Sequence, residues 1–241
     1  MRKVLALRGR LIQHIIYSAL FPSNLRVLAL LYGTDKWGAH WYCEYYKTHF
    51  DALRHKRLSI LEIGVGGYED PESGGGSLRM WRTYFPRSTI HAVDVFNKSP
   101  HAERRIKIHK GPQADTDFLK GLCDEIGPLD IVIDDGSHRN EDVLASFKFL
   151  FPRLAENGIY VIEDTQTSYW EAYGGTSQNF DQLNTTKGWF KSLVDGIDFQ
   201  DYERLNYAPN YFDRNIVAIH FYRNMIFIQK GKNQDAESVF G

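Results

Sequence analysis

Four short apolar runs, residues 59–65 (SILEIGV), 89–95 (TIHAVDV), 129–134 (LDIVID) and 159–163 (IYVIE), each carry a carboxylate at or near the C-terminal end. Between them lie helix-patterned stretches, among them residues 78–85, ended by Pro86, and residues 143–154, with Asn157-Gly158 read as the stop signal. Apolar strands alternating with helical crossovers predict βαβ units and a mostly parallel α/β sheet. Residues 106–110 add a further strand, and residues 216–221 and 225–230 flank Arg223-Asn224 as a terminal antiparallel hairpin. A plain dinucleotide-binding fold would close on a sixth parallel strand instead.

In such a sheet, ligands bind outside the carboxyl ends of the strands. Glu62-Ile63-Gly64-Val65-Gly66-Gly67 is a glycine turn leaving the first strand, where positive φ and close ligand approach favour glycine. Position 68 is Tyr rather than a helix-opening glycine, and no Lys-Ser/Thr follows, so a phosphate clamp is not expected. Asp94 ends the second strand, where a carboxylate can accept hydrogen bonds from both ribose hydroxyls of an adenosine. Gln113 and Asp115, after the third strand, are expected near the adenine edge. Gly64, Gly66 and Asp94 together point to S-adenosylmethionine.

Asp134-Asp135-Gly136-Ser137-His138 and Glu163-Asp164 bring further acids to the same edge. Carboxylates crowded there need a cation, and oxygen-only ligands select a hard one, Mg²⁺ ahead of Mn²⁺ or Ca²⁺. His138, three residues after Asp135, is placed to accept a proton from an acceptor hydroxyl that the metal activates.

A length of 241 residues suits one α/β domain with additions. A formal net charge of −1 gives no field for nucleic acid, and Cys43 and Cys123, without CxxC spacing, point to a reducing, cytoplasmic setting. Residues 1–50 are expected to form a helical cap, locally basic through Arg2, Lys3, Arg8, Arg10 and Arg26. No apolar run there reaches the roughly 18–20 residues of a membrane span, and Gln13 and His14 break any signal-peptide core, although peripheral attachment to anionic lipid stays open. Residues 51–241 form the main domain, with a loop-rich insertion over 165–211 read as a lid. Its Tyr169, Trp170, Tyr173, Trp189 and Phe190 suit the wall of an acceptor site, the first three above all.

The segments YGTDKWG, LEIGVGG, GGSLRMW, DDGSH and IEDT, between about residues 32 and 170, resemble the metal-dependent bacterial sugar O-methyltransferases. These include the macrolide deoxysugar 2-O-methyltransferases and the mycobacterial methylmannoside O-methyltransferases. The resemblance implies a class I methyltransferase (Rossmann-like) sheet, S-adenosylmethionine, Mg²⁺, and a small-molecule or oligosaccharide glycoside as acceptor. By it, Asp135, Glu163 and Asp164 are metal ligands and His138 is the general base. Glu62, Gly64, Gly66, Asp94, Gln113, Asp115 and Asp134 fall with the cofactor, Ser77 near its polar end. Tyr32 to Lys36, with Thr34, folds over it. It also implies a homodimer or larger homo-oligomer. The separate N-terminal domain of the macrolide enzymes is not expected in residues 1–50. Two other readings stay open: methylation of a catechol-like hydroxyl, and a non-catalytic S-adenosylmethionine-binding module.

Overall fold

Successive residues of each central strand bury into opposite layers, as period-two side chains on a sheet covered on both faces must. A computed structural model describes residues 16–234 of the chain. Its strands are β1 (Ser59–Ile63), β2 (Thr89–Asp94), β3 (Ile106–Lys110), β4 (Leu129–Asp134), β5 (Leu154–Ile162), β6 (Ile216–Tyr222) and β7 (Met225–Lys230). They form one sheet in the order β3-β2-β1-β4-β5-β7-β6. The first five are parallel, and the β6–β7 hairpin adds antiparallel, with β7 against β5. The expected mostly parallel sheet with a closing hairpin is therefore the observed one.

Helices α1 (Leu25–Tyr32), α2 (Tyr42–Phe50) and α3 (Gly76–Tyr84) cover one face. Ile60, Ile131 and Ile133 pack there with Leu28, Tyr46 and Trp81. Helices α4 (Thr116–Ile126), α5 (Asn140–Leu150) and α6 (Thr186–Ser192) cover the other, where Leu61, Ile63 and Val132 meet Leu119, Phe147 and Phe190. Residues 25–50 thus share a core with the sheet. The expected basic Arg2, Lys3, Arg8 and Arg10 lie outside the described residues. Residues 16–20 are helical. No helix of the described residues is long and apolar enough to cross a membrane.

Two expectations need correction. The helix read as 143–154 is Asn140–Leu150; a 3₁₀ turn at Phe151–Arg153 holds Pro152, and β5 starts at Leu154. Asn157-Gly158 is not its stop signal: it lies where β5 breaks register with β4, between the Leu129 and Ile131 pairings, with Asn157 at φ 64°. Trp189 and Phe190 do not wall an acceptor site, because their rings pack on Phe147 of α5 at 5.5 and 4.7 Å.

Candidate active site

The strand order reverses between β1 and β4, and a cavity of about 780 Å³ opens at the carboxyl ends of these strands. Thr34, Gly64, Gly66, Ser77, Asp94 and Gln113 line it, as does the cluster of Asp135, His138 and Asp164. Gly64 has φ 95°, and a Cβ there would stand 2.0 Å from the Asp135 carbonyl oxygen. Only glycine lets the turn after β1 and the loop after β4 meet so closely. Asp94 accepts the Val65 N–H and the Phe96 N–H, both at 2.9 Å, one on each oxygen. This ties the end of β2 to the glycine turn while leaving the carboxylate on the cavity wall.

Three residues expected at the cofactor face elsewhere. Asp115 is the N-cap of α4 and accepts the Asp117 and Phe118 N–H groups at 3.0 Å, because a helix start leaves those donors unpaired. Asp134 is buried and accepts from Gln113 (3.1 Å), the Ser146 hydroxyl (2.7 Å) and the Tyr160 hydroxyl (3.2 Å). Burial pushes its carboxyl up to about 6 against those hydrogen bonds. Through Gln113, whose Oε1 accepts the Ser137 N–H at 2.7 Å, Asp134 fixes the loop that carries Asp135 and His138. Glu62 is likewise buried. It accepts the Ser77 hydroxyl at 3.0 Å, and burial pushes it up to about 7 although Lys36 opposes this.

Asp135, His138 and Asp164 offer one ligand atom each, all within 4.8 Å of one another. His138 Nε2 is 3.6 Å from Asp164 Oδ2 and 3.9 Å from Asp135 Oδ1. Both His138 (φ 56°) and Asp164 (φ 52°) adopt left-handed backbone, a strain that recurs where side chains are aimed for function. The other Asp164 oxygen, Oδ1, accepts from the Tyr42 hydroxyl at 2.6 Å and from Gln166 at 3.2 Å. Burial works against the Asp164 charge, but Tyr42, His138 and Gln166 outweigh it and hold the carboxyl below its ordinary value. The Asp135 and Asp164 carboxylate oxygens, partly open to the cavity, fit a hard divalent cation with places left for further oxygen ligands, and the His138 imidazole stands beside them.

Glu163, expected as a ligand, adjoins this trio across Lys36 Nζ, which also reaches Asp135. Its Oε1 is 2.6 Å from Lys36 Nζ and also accepts the Tyr46 hydroxyl. Lys36 lies wholly inside the protein, 2.7 Å from Asp135 Oδ2 and 3.5 Å from Glu62. Burial depresses an ammonium, yet Asp135, Glu163 and Glu62 together hold Lys36 well above an ordinary lysine. Sequence reasoning missed the contributions of Lys36, Tyr42 and Tyr46. The signal available was that crowded acids need counter-charge, with Lys36 inside the quoted YGTDKWG segment. Of the acceptor candidates, Tyr173 lines the cavity and Trp170 stands half-exposed with its ring 5.8 Å from that of Tyr173, while Tyr169 turns to Phe180 at 5.6 Å.

Residues 32–165, more than half of the chain, match the family described as "Methyltransferase domain". The chain belongs to that family. The chain is 45% identical over 214 residues to a mycinamicin VI 2''-O-methyltransferase of Micromonospora griseorubida, a match covering 88% of this chain and 54% of the relative. It is 46% identical to an 8-demethyl-8-alpha-L-rhamnosyl tetracenomycin-C 2'-O-methyltransferase of Streptomyces olivaceus, over 87% of this chain and 55% of the relative. The MycE methyltransferase of the mycinamycin biosynthetic pathway, solved in complex with Mg and SAH, superposes with a TM-score of 0.86 at 44% identity. That match covers 90% of this chain and 57% of the other. The chain therefore has the class I methyltransferase fold, and it spans about half the length of the curated relatives it matches.

Proposed function

We propose that this chain transfers a methyl group from S-adenosylmethionine to a sugar hydroxyl of a glycoside, with Mg²⁺ at Asp135, Glu163 and Asp164 and His138 as the general base. The observation that carries the reading is one cavity with the glycine turn and Asp94 on its wall and the Asp135–His138–Asp164 trio beside them. The activities of the similar proteins, 2''-O-methylation of mycinamicin VI and 2'-O-methylation of a rhamnosyl tetracenomycin, support the acceptor class. Thr34, Gly64, Gly66, Ser77 and Asp94 hold the cofactor in this reading. Gly33, Thr34 and Asp35 on the cavity wall support taking the segment ahead of residue 51 as part of the enclosure. When bound, the cofactor supplies the methyl group and the metal supplies Lewis acidity toward the acceptor hydroxyl. His138 takes the proton which that hydroxyl loses. Asp164, anchored by Tyr42, keeps one oxygen turned to the imidazole. Tyr173 and Trp170 hold the acceptor, and Gln113 keeps the Ser137–His138 loop in register.

A second reading has His138 as a metal ligand, which its position within 4.8 Å of both carboxylates favours. His138→Ala separates the two. A base predicts a fall in kcat of about 10²–10⁴-fold with Mg²⁺ affinity retained. A loss of Mg²⁺ affinity in calorimetry that parallels the loss of rate makes His138 a ligand. Retention of more than about a tenth of the parent rate, outside the usual span for a positioned base, removes the proton-transfer role. The unpaired Cys43 and Cys123 suit a cytoplasmic setting. The exposed Tyr17, Leu20, Phe21 and Leu30 support a homo-oligomer, which sedimentation would establish.

A further inference from the structure

Lys98 follows β2 and is wholly buried, an unfavourable place for a lysine Nζ unless it is hydrogen-bonded. Its Nζ donates to two backbone carbonyls, that of Asp70 at 2.6 Å and that of Ser73 at 3.1 Å. His101, buried in the 3₁₀ turn Ser99–His101, meets the same Ser73 carbonyl through Nε2 at 3.1 Å. Arg79 of α3 donates to the next carbonyl, that of Gly74, at 3.0 Å. Inside the loop, the Asp70 carboxylate accepts the Ser73 hydroxyl at 2.6 Å and the Glu72 N–H at 3.0 Å. The segment so held is the return arm of the glycine turn. A Cβ on Gly67 would stand 2.4 Å from the Ser73 carbonyl, and one on Gly74 would stand 2.4 Å from the Gly66 carbonyl oxygen. The two arms therefore touch, and Gly66, Gly67, Tyr68 and Gly74 all line the cavity.

We propose that Lys98 is a positioning residue for the cofactor: by gripping the Asp70 and Ser73 carbonyls, it holds the loop over residues 66–75 in its binding shape before S-adenosylmethionine arrives. The lysine joins two walls of one cavity, the glycine loop after β1 and the Asp94–Phe96 segment that leads to Lys98. The loop needs such a grip, because Gly66, Gly67, Gly74 and Gly75 all sit at positive φ and each has much backbone freedom to lose. A loop left free would have to be ordered at every binding event, and that ordering opposes affinity. Burial suits the task, since water does not compete with Nζ for the two carbonyls. Lys98 acts through these carbonyls and not by touching the ligand. The inference deepens the cofactor reading above and rests on it.

The test is calorimetric titration of the full chain with S-adenosylhomocysteine, in the parent, in Lys98→Met and in Asp70→Ala, together with hydrogen exchange of the 66–75 amides. Lys98→Met keeps the length of the side chain and removes the donor. It should bind at least about tenfold more weakly, the effect of ordering about one further residue at each binding event. Its loop amides should exchange faster than the parent's without ligand and regain the parent's protection at saturating ligand. A merely structural role would lower the melting temperature and leave affinity and loop exchange of the folded protein unchanged. Parent-like affinity, or loop exchange that matches the parent's, therefore overturns the inference. Asp70→Ala is an exposed change inside the same turn, and it should weaken binding at least about threefold, the scale of one lost hydrogen bond. If Lys98→Met does not fold, Asp70→Ala decides, and parent-like affinity there overturns the inference. A parent that binds no S-adenosylhomocysteine overturns the cofactor reading along with it.

Discussion

Tyr42→Phe tests how the Asp164 carboxylate is held in place. Tyr42 is buried, and its ring packs in the core shared by α1, α2 and the sheet, so phenylalanine keeps the volume and removes only the hydroxyl. That hydroxyl donates at 2.6 Å to a carboxylate that burial alone would discourage from ionising. A hydrogen bond to a charged group contributes about 1.5–3 kcal/mol, and we expect urea unfolding at pH 7.5 without metal to show a loss in that range. Asp164 sits below its ordinary value in the folded state, so its share of stability is complete above the unfolded value and is lost as pH falls through the folded one. Removing the hydroxyl raises the folded value, so the acid limb of the stability curve should move to higher pH. Carbon-detected NMR of the Asp164 carboxyl should record the same upward movement. A stability loss below about 0.5 kcal/mol, the size of an ordinary surface change, together with an unmoved Asp164 titration would refute the reasoning.

Asp94→Ala should weaken S-adenosylmethionine binding by about 1–3 kcal/mol in calorimetry, the scale of lost hydrogen bonds to a charged group; unchanged affinity would remove Asp94 from the ribose site. Asp164→Asn should lose Mg²⁺ affinity and methyl transfer together, and retention of both would take it out of the metal's shell. Trp170→Ala should raise the acceptor's KM more than the cofactor's, whereas an effect confined to the melting temperature would assign Trp170 to packing.

Much of the fold was legible because strand burial is written locally. Ile131, Val132 and Ile133 of β4 alternate between the two layers, and the runs around them carry the same signal. The hairpin at Arg223-Asn224 was legible for the same reason, and Asn224 takes the left-handed turn conformation at φ 63°. Helix α5 was misjudged at its end because Asn157-Gly158 punctuates a break in strand register, which depends on pairing with β4 and not on the local sequence. Within the site, the strand ends carry Asp94, Asp135 and Asp164 to the cavity as the sequence pattern implies, but the orientations of the acids were not legible. Asp134 and Asp135 are neighbours that point to opposite duties, one into the Ser146–Tyr160 network and one toward the cavity. Lys36 pairs with Asp135 and Glu163 across 99 and 127 positions of the chain, a distance over which no local pattern gives a signal.

The central claim is metal-dependent methyl transfer to a sugar hydroxyl, and mass spectrometry of an acceptor panel tests it most directly. Deoxysugar glycosides and catechols are each incubated with the protein and S-adenosylmethionine, in Mg²⁺ and in excess EDTA. We expect one methyl group added to a glycoside hydroxyl in Mg²⁺, none in EDTA, and recovery when Mg²⁺ is restored. Methylation of catechols alone, or full turnover of a glycoside in EDTA, would contradict the account.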